Sequence, residues 1–365
     1  MTQELTAQAI EHAMIAARSG RLDEAKAIAS RALVDGADKA QLHAFLGMIC
    51  ARMGDLKAAT HHLHQAHRER PADITIACNL IAAFIDQGRL EEALGIATKQ
   101  LAATDPTLRV ARYRGYLAQT LEQFDEAVLA YQAVVDKVPT DFESWNNLGN
   151  ALVALGRPDE AVGALRQAMK LDALAAPTRL NYANALIQAG KNEDAEKVLQ
   201  ESSRLFSDDA RPLNELYVLY KLEGKHEEAL PAIEEAVRRD PNNASLQLKF
   251  GIECGLVHRT RDAEMAFLKA IEVDPLTRDA YLGLAVQYEH VNRENDLRPL
   301  VDKALAAGLD DGSVAFLEAM ALRREKKYAE ALERISAVDP EVEPVRTAHL
   351  RASVLDRLGR HDEAF

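Results

Sequence analysis

Between Arg109 and Lys249 the sequence sets out residue types suited to gripping another chain rather than to breaking bonds. Arg109, Arg112, Tyr113 and Tyr116 come first, followed by Asn146, Asn147 and Asn150, then Asn181, Asn184 and Gln188, and finally Arg211, Asn214, Lys221 and Lys249. An Asn amide offers donors and an acceptor and can hold a peptide backbone without reading side chains. A guanidinium can take a carboxylate through two parallel hydrogen bonds. Asn is a poor residue for the middle of a helix on propensity, so its recurrence asks for a reason. The competing reading is that these amides bond between structural units or to water.

A second cluster, His61, His62, His64 and His67, has spacings of three and six that put His61, His64 and His67 on roughly one helix face. Imidazoles so arranged could hold a transition metal. No Cys lies nearby and no HExxH arrangement occurs, so the cluster reads as a solvated histidine face without a metal. No phosphate-binding Gly loop, nucleophile elbow or cofactor fingerprint is present. Acidic pairs such as Asp23-Glu24, Glu91-Glu92 and Asp159-Glu160 stand at helix starts, where negative charge favours the helix dipole. These residues read as non-enzymatic and cofactor-free.

Charge narrows the partner. The 365 residues carry a formal net charge of −13, with a pI of about 5.4. Such a surface repels phosphate backbones and anionic lipid, so neither nucleic acid nor membrane is expected as a partner. A basic or neutral partner, or a locally basic groove inside an acidic shell, fits better. Cys50, Cys78 and Cys254 are far apart and form no CxxC pair, which points to a reducing compartment. Cys50 and Cys254 read as small apolar packing residues. The start, Met1-Thr2-Gln3-Glu4-Leu5, has no basic stretch leading into an apolar run, and no segment approaches ~18 consecutive apolar residues. The expectation is a soluble cytoplasmic protein.

What positions these residues is a repeat. Ala25, Ala59, Ala93, Ala127, Ala161, Ala195, Ala229 and Ala263 are each 34 residues apart. The series lapses at Leu297, resumes at Ala331 and returns one residue early at Ala364. Aromatics are only 5 % of the chain and no strand-like alternation occurs, so the repeat is helical. The flanks recur as Gly20-Arg21-Leu22-Asp23-Glu24-Ala25, Gly88-Arg89-Leu90-Glu91-Glu92-Ala93, Gly156-Arg157-Pro158-Asp159-Glu160-Ala161 and Gly359-Arg360-His361-Asp362-Glu363-Ala364. The glycines end a first helix, where a left-handed residue costs least. Asn292 stands in for Gly there, and Glu122, His258 and Lys326 depart from the pattern. Seven residues earlier, Gly47, Gly115, Gly149 and Gly251, or alanines such as Ala183, leave room for two helices to cross. Ile81 and Tyr217 occupy the same place and should push their pair apart. Pro71, Pro139, Pro241 and Pro275 follow each second helix, which they cannot continue. Pro231 and Pro299 fall just inside second helices, where few N–H groups have intrahelical partners.

These stretches resemble the tetratricopeptide repeat (TPR) family, and the resemblance covers nearly the whole chain. It implies an all-α fold, a right-handed TPR superhelix (α-solenoid) of about ten full repeats plus a truncated eleventh. The repeats would begin near 6, 40, 74, 108, 142, 176, 210, 244, 278, 312 and 345, within one solenoid over residues 1–365 without globular domain boundaries. No single repeat can bury its apolar face alone, so stability comes from neighbours. The resemblance further implies that first helices line a concave face, so that repeat positions 2, 5, 6, 9, 12 and 13 face a groove. On this basis the peptide-binding set is Arg109, Arg112, Tyr116, Asn146, Asn147, Asn150, Asn181, Asn184, Arg211 and Lys249, with Asn79 continuing the Asn series. Trp145 reads as a packing anchor. The carboxylate clamp of the family is matched at Asn150, Asn181 and Arg211, but Asn146 and Glu215 stand where basic residues belong. Asn79, Asn147 and Asn181 resemble the asparagine ladder of O-linked N-acetylglucosamine transferases, interrupted here by Tyr113.

The stretch from Ser336 to Pro344 is one residue short of the period, and a small change of superhelical path is expected there. The chain stops at Asp362-Glu363-Ala364-Phe365, within the first turn of a second helix, and so reads as a piece of a longer protein. The stretch Leu350 to Phe365 resembles the repeat that precedes the catalytic half of bacterial TPR-containing sulfotransferases. The expected function is a protein–protein interaction module that holds a peptide or protein segment along its groove. The alternative is the substrate-recruiting arm of a transferase, sulfotransferase first and O-GlcNAc-type second, whose catalytic domain lies outside these residues. The oligomeric state stays open.

Overall fold

The computed structural model describes residues 2–35, 38–309, 311–338 and 344–363. Among the described residues every regular element is a helix and none is a strand. Two compact units are distinguished, residues 1–191 and 192–365. Unit 1 runs through α1 (Thr2–Arg18), α2 (Leu22–Val34), α3 (Lys39–Arg52), α4 (Leu56–Glu69), α5 (Ile74–Ile85), α6 (Leu90–Ile96), α7 (Lys99–Thr104), α8 (Arg109–Thr120), α9 (Phe124–Lys137), α10 (Phe142–Ala154), α11 (Pro158–Leu171) and α12 (Ala176–Gln188). Unit 2 comprises α13 (Asn192–Leu205), α14 (Arg211–Leu222), α15 (His226–Arg239), α16 (Ala244–Leu256), α17 (Thr260–Val273), α18 (Arg278–His290), α19 (Leu297–Ala306), α20 (Asp311–Arg324), α21 (Tyr328–Ser336) and α22 (Pro344–Arg357).

The helix-turn-helix register is the one the alanine ladder predicts. First helices begin within a residue of the expected places, from Lys39 to Pro344, while α1 starts earlier, at Thr2. The last rung, Ala364, and most of the shortened stretch, 339–343, lie outside the described residues.

The two kinds of helix start differently. Several first helices carry an acidic or amide N-cap: Asp38 accepts from the Gln41 amide at 3.3 Å, Asp141 from Ser144 at 2.9 Å and Asn243 from Leu246 at 3.2 Å. Each satisfies an otherwise orphaned donor. Most second helices lack such a cap; α4 is an exception, its Asp55 accepting from the Ala58 amide at 3.0 Å. An Arg precedes several of them instead and bridges forward to the acid three residues on, as in Arg21–Glu24 (2.8 Å), Arg89–Glu92 (2.6 Å), Arg157–Glu160 (2.7 Å) and Arg259–Asp262 (2.7 Å). That is the physical content of the recurring Gly-Arg-x-x-Glu flank.

The turn before each second helix keeps one geometry even where its glycine is missing. Gly88 has φ +69° and Gly156 φ +69°, while Glu122, His258, Asn292 and Lys326 adopt φ +58°, +60°, +57° and +62°. The left-handed turn is therefore imposed by the repeat, and the side-chain-bearing residues there carry the strain of a conformation costing about 1–2 kcal/mol.

Size complementarity sets the crossing of each helix pair. A Cβ built at Gly47, Gly115, Gly149 or Gly251 would fall 2.4 to 2.7 Å from Leu63, Tyr131, Leu165 or Phe267 respectively. Repeat three reverses the assignment. Ile81 supplies the bulk and Ala97 the space, and both are fully buried in one apolar cluster. Tyr217 is 7 % exposed and directs its hydroxyl to Glu253 Oε1 of α16, 3.0 Å away.

The second helix of repeat three is broken into α6 and α7. Thr98 Oγ1 accepts from the Leu101 amide at 3.1 Å, starting a new helix, and Arg114 of the next repeat donates to the Ala97 carbonyl at 2.7 Å. A threonine that competes for backbone groups interrupts the ladder, and the guanidinium satisfies the carbonyl so released. The prolines separate into two cases. Pro299 is the third residue of α19, where its missing N–H costs nothing. Pro231 corrects the sequence expectation: it lies inside α15, past the first turn, because the helix already begins at His226, so one intrahelical hydrogen bond is forfeited.

Candidate functional site

In unit 1 a cleft of about 440 Å³ opens on α5, α8 and α10. Its walls are Ile85 of α5, Arg109, Arg112, Tyr113 and Tyr116 of α8, and Glu143, Ser144 and Asn147 of α10; Tyr131 of α9 also lines it. The first-helix residues, Ser144 excepted, occupy repeat positions 2, 5, 6, 9 and 12. Tyr131 reaches the cleft from the second helix because Gly115 has no side chain: a Cβ there would stand 2.6 Å from the ring. Tyr131 is 2 % exposed. Burial pushes its phenol up to about 12, against the opposing hydrogen bond with Asn147. Tyr116, by contrast, is 47 % exposed.

The two arginines of this cleft differ in kind. Arg112 Nε donates to Asp141 Oδ2 at 2.9 Å, and a terminal nitrogen donates to the Thr107 carbonyl at 3.0 Å. Asp141 also caps α10, so Arg112 ties repeat four to repeat five. Burial works to raise the Asp141 carboxyl, but the Ser144 amide and Arg112 outweigh it and leave the group below its ordinary value. Arg109 is exposed and has no ion-pair partner among the described residues. Of the two, it is the one whose guanidinium is left unpaired.

The asparagines divide as well. Asn146 Oδ1 accepts from Thr178 Oγ1 at 3.0 Å and from Asn181 Nδ2 at 3.2 Å, and Asn146 Nδ2 donates to Asn147 Oδ1 at 3.3 Å. This amide chain joins α10 to α12. Asn184 Oδ1 accepts from Gln188 within its own helix at 3.3 Å. Asn150 is half-buried and does not line the cleft. The inter-repeat bonding weighed from the sequence thus accounts for Asn146 and Asn181, and only Asn147 faces the cleft.

Arg211 and Lys249 belong to unit 2, where they line a polar cleft of about 540 Å³ with Asp208, Asp209 and Asp240. Arg211 clasps Asp209, Nε to Oδ1 at 2.9 Å and a terminal nitrogen to Oδ2 at 2.8 Å. That hydrogen bond is the main cause holding the Asp209 carboxyl below its ordinary range. Outside this cleft, Lys221 Nζ lies 2.9 Å from buried Glu253; within it, Lys249 Nζ donates to Asn214 Oδ1 at 2.6 Å and Arg239 Nε lies 3.1 Å from Glu235 Oε1. The cations of this cleft are matched by their neighbours.

The histidine face is solvated at His61 and His64 but not at His62. His62 is half-buried with its Nδ1 2.9 Å from His43 Nδ1. Burial, reinforced by His43 and His61, pushes it down to about 4. Among the described residues no group of three or more His, Cys, Asp or Glu side chains could hold a metal ion. Cys50 and Cys254 are buried free thiols, and burial pushes Cys254 up to about 11. Trp145 is half-buried, its indole N–H donating to the Pro139 carbonyl at 2.9 Å.

Reading for polar residues misses a second cleft in unit 1. It measures about 420 Å³, lies on α1, α3 and α5, and is mainly apolar, with Met14, Phe45, Met48, Ile49 and Ala82 as walls. Arg18, Arg52, Asn79 and Asp86 supply its polar edge. The signal was in the sequence: Met14 and Met48 share repeat position 9, and Arg18, Arg52 and Asp86 share position 13.

Family models for the tetratricopeptide repeat match residues 114–176, 152–214 and 218–243, and these stretches carry tetratricopeptide repeats. A curated relative, tetratricopeptide repeat-containing protein trd-1 of Caenorhabditis elegans, is 26 % identical over 155 residues, covering 41 % of the chain and 19 % of its own length. The matched region therefore spans about a fifth of that relative. Among solved structures, a tetratricopeptide repeat protein from Parabacteroides merdae is 20 % identical, covering 68 % of this chain and 98 % of its own, with a TM-score of 0.49. YrrB, described as a TPR protein with an unusual peptide-binding site, is 20 % identical over 54 % of this chain and 98 % of its own, at a TM-score of 0.41. MamA is 24 % identical over 44 % of this chain and 94 % of its own, at 0.40. These matches concern the repeat and do not extend to the sulfotransferase resemblance of the last stretch. No helix among the described residues is long and apolar enough to cross a membrane.

Proposed function

We propose, taking the tetratricopeptide repeats as premise, that the chain is a binding module and that its unit 1 cleft on α5, α8 and α10 seats a peptide segment of another protein. The observation that carries this reading is the pairing of Arg109, which has no ion-pair partner among the described residues, with the half-exposed Tyr116 in a cleft of about 440 Å³. A guanidinium left unpaired beside aromatic faces can take a carboxylate and an apolar side chain together. Tyr131 gives the site a buried wall and Asn147 an amide for backbone contact. Arg112, Asn146 and Asn181 support the site by fixing α8, α10 and α12 to one another, and Asn150 and Asn184 are not required. Arg211 and Lys249 belong to a separate polar cleft in unit 2.

The test starts from a random peptide library selected on the whole chain. Selected peptides are then titrated against the wild type, Arg109→Glu and Tyr116→Ala. Both side chains are exposed, so helicity by circular dichroism should not change. Binding should weaken at least about 10-fold, corresponding to roughly 1.4 kcal/mol, in each variant. Unaltered affinity of every selected peptide for both variants would exclude this cleft.

A further inference from the structure

The methionine-lined cleft on α1, α3 and α5 has chemistry of its own. Met14 and Met48 are 40 % and 45 % exposed, far more than a core methionine. They stand over Phe45 and Ile49, which are 5 % and 2 % exposed. Flexible thioethers over an apolar floor can repack around side chains of different shape. Arg18 and Arg52 rise from the ends of α1 and α3 at the same repeat position and, among the described residues, neither has an ion-pair partner. Asp86 holds the matching place on α5 and confines the positive edge to α1 and α3. In a chain of net charge −13, the cations Arg18 and Arg52 line this cleft and Arg109 lines the other cleft of unit 1, and none of the three has an ion-pair partner among the described residues.

The two unit 1 clefts share α5: Asn79, Ala82 and Asp86 line one, and Ile85 lines the other. The first is centred on α3 and the second on α8, two first-helix steps apart. At about 10 Å per packed helix the separation is on the order of 20 Å, or about six residues of extended chain.

We infer that the methionine-lined cleft is a second subsite, and that the two clefts together take one extended acidic segment bearing two large apolar side chains about six residues apart. One apolar side chain enters between Met14 and Met48, with a carboxylate at Arg18 and Arg52. The other meets Tyr113 and Tyr116, with a carboxylate at Arg109. This rests on the reading of the Arg109 cleft given above and extends it to a partner class.

The experiment uses three fluorescein-labelled synthetic peptides rich in Asp and Ser, with one Phe, two Phe residues three apart, or two Phe residues six apart. Anisotropy titrations are run on the whole chain and on Met48→Glu, Arg18→Glu with Arg52→Glu, and Arg109→Glu. The six-spaced peptide should bind at least about 10-fold more tightly than the one-Phe peptide, as expected when a second site is tethered to the first. Met48→Glu, and the double arginine variant, should remove that gain and leave the one-Phe peptide bound. If the six-spaced peptide gains nothing, or keeps its gain in both variants, the second subsite is refuted. Loss of one-Phe binding in Arg109→Glu reports separately on the first cleft, so failure of the inference is distinguishable from failure of the reading beneath it. Met48 and both arginines are exposed, and unchanged circular dichroism establishes that the variants fold.

Discussion

Arg112 and Asp141 clasp across the junction of repeats four and five, Nε to Oδ2 at 2.9 Å, while Arg109 one turn earlier on the same helix has no such partner. Two arginines three residues apart therefore have different work. One ties two repeats together, and the other has no ion-pair partner among the described residues.

A pair of substitutions separates these roles. Arg112→Glu sets a carboxylate against Asp141 and should lower stability by roughly 1–2 kcal/mol, allowing for solvent screening of a partly exposed pair. Arg109→Glu should leave the thermal midpoint nearly unchanged and weaken peptide binding. Differential scanning calorimetry beside a binding titration checks both. Equal destabilisation by the two variants would contradict the division.

The wall of the Arg109 cleft depends on an absent side chain. Gly115→Ala puts a Cβ 2.6 Å from the Tyr131 ring, and overpacking of this kind costs about 1–3 kcal/mol. Adding Tyr131→Leu recreates the Ala183 and Leu199 pairing already present at the corresponding place in repeat six. Urea midpoints should fall in the single variant and recover in the double, while peptide affinity stays reduced in the double because the aromatic wall is gone.

Where the repeat forces a side chain into the left-handed turn, glycine should relieve it. Glu122→Gly and Lys326→Gly, at φ +58° and +62°, should each stabilise by about 0.5–1 kcal/mol after the added freedom of the unfolded chain is counted. The same change at Gln123 or Lys327, one residue later, should not stabilise. Thermal midpoints of the four variants decide the matter.

Acid should act on unit 1 through the pair His43 and His62. The folded state holds His62 near 4, below the ordinary 6.5, and His43 is lowered by burial and by His61. Because the unfolded chain binds protons first, stability falls as pH drops from about 6.5 towards 4 and is recovered above that window. Lys26, Lys39, Asp55 and Glu69 complete the charged surroundings. His62→Leu should flatten the dependence between pH 7 and pH 5, followed by tryptophan-independent far-ultraviolet melting curves; a slope equal to the wild type would discard the explanation.

Much of the fold was legible because each repeat uses the same few physical devices. Ala25 to Ala263 gave the period, Gly47 and Gly149 the crossings, and Gly88 and Gly156 the turns. Position within the repeat also pointed to most first-helix residues of the Arg109 cleft, including Tyr116 and Asn147, but, Asn79 apart, not to those of the methionine-lined cleft. Chemistry alone was a poorer guide. Asn146 and Asn181 look like ligand contacts in sequence, yet an amide bonds equally well to another amide 35 residues away. Arg211 and Lys249 look free until Asp209 and Asn214 are found beside them. The break at Ala97–Thr98 was hidden because it needs Arg114, from the next repeat, to satisfy the exposed carbonyl.

Ile81 and Ala97 bear on how such a chain can change over time. Their sizes are reversed relative to Gly47 and Leu63 or Gly149 and Leu165, and the volume of the crossing is conserved only when both are exchanged. Going from one arrangement to the other by single steps passes through either a crowded crossing or an empty one, each costly. Recombination that cuts between residues 81 and 97 would join mismatched halves, whereas a cut between whole repeats would not. The helix pair, rather than the single helix, is thus the smallest piece of this chain that can be inherited, duplicated or grafted intact.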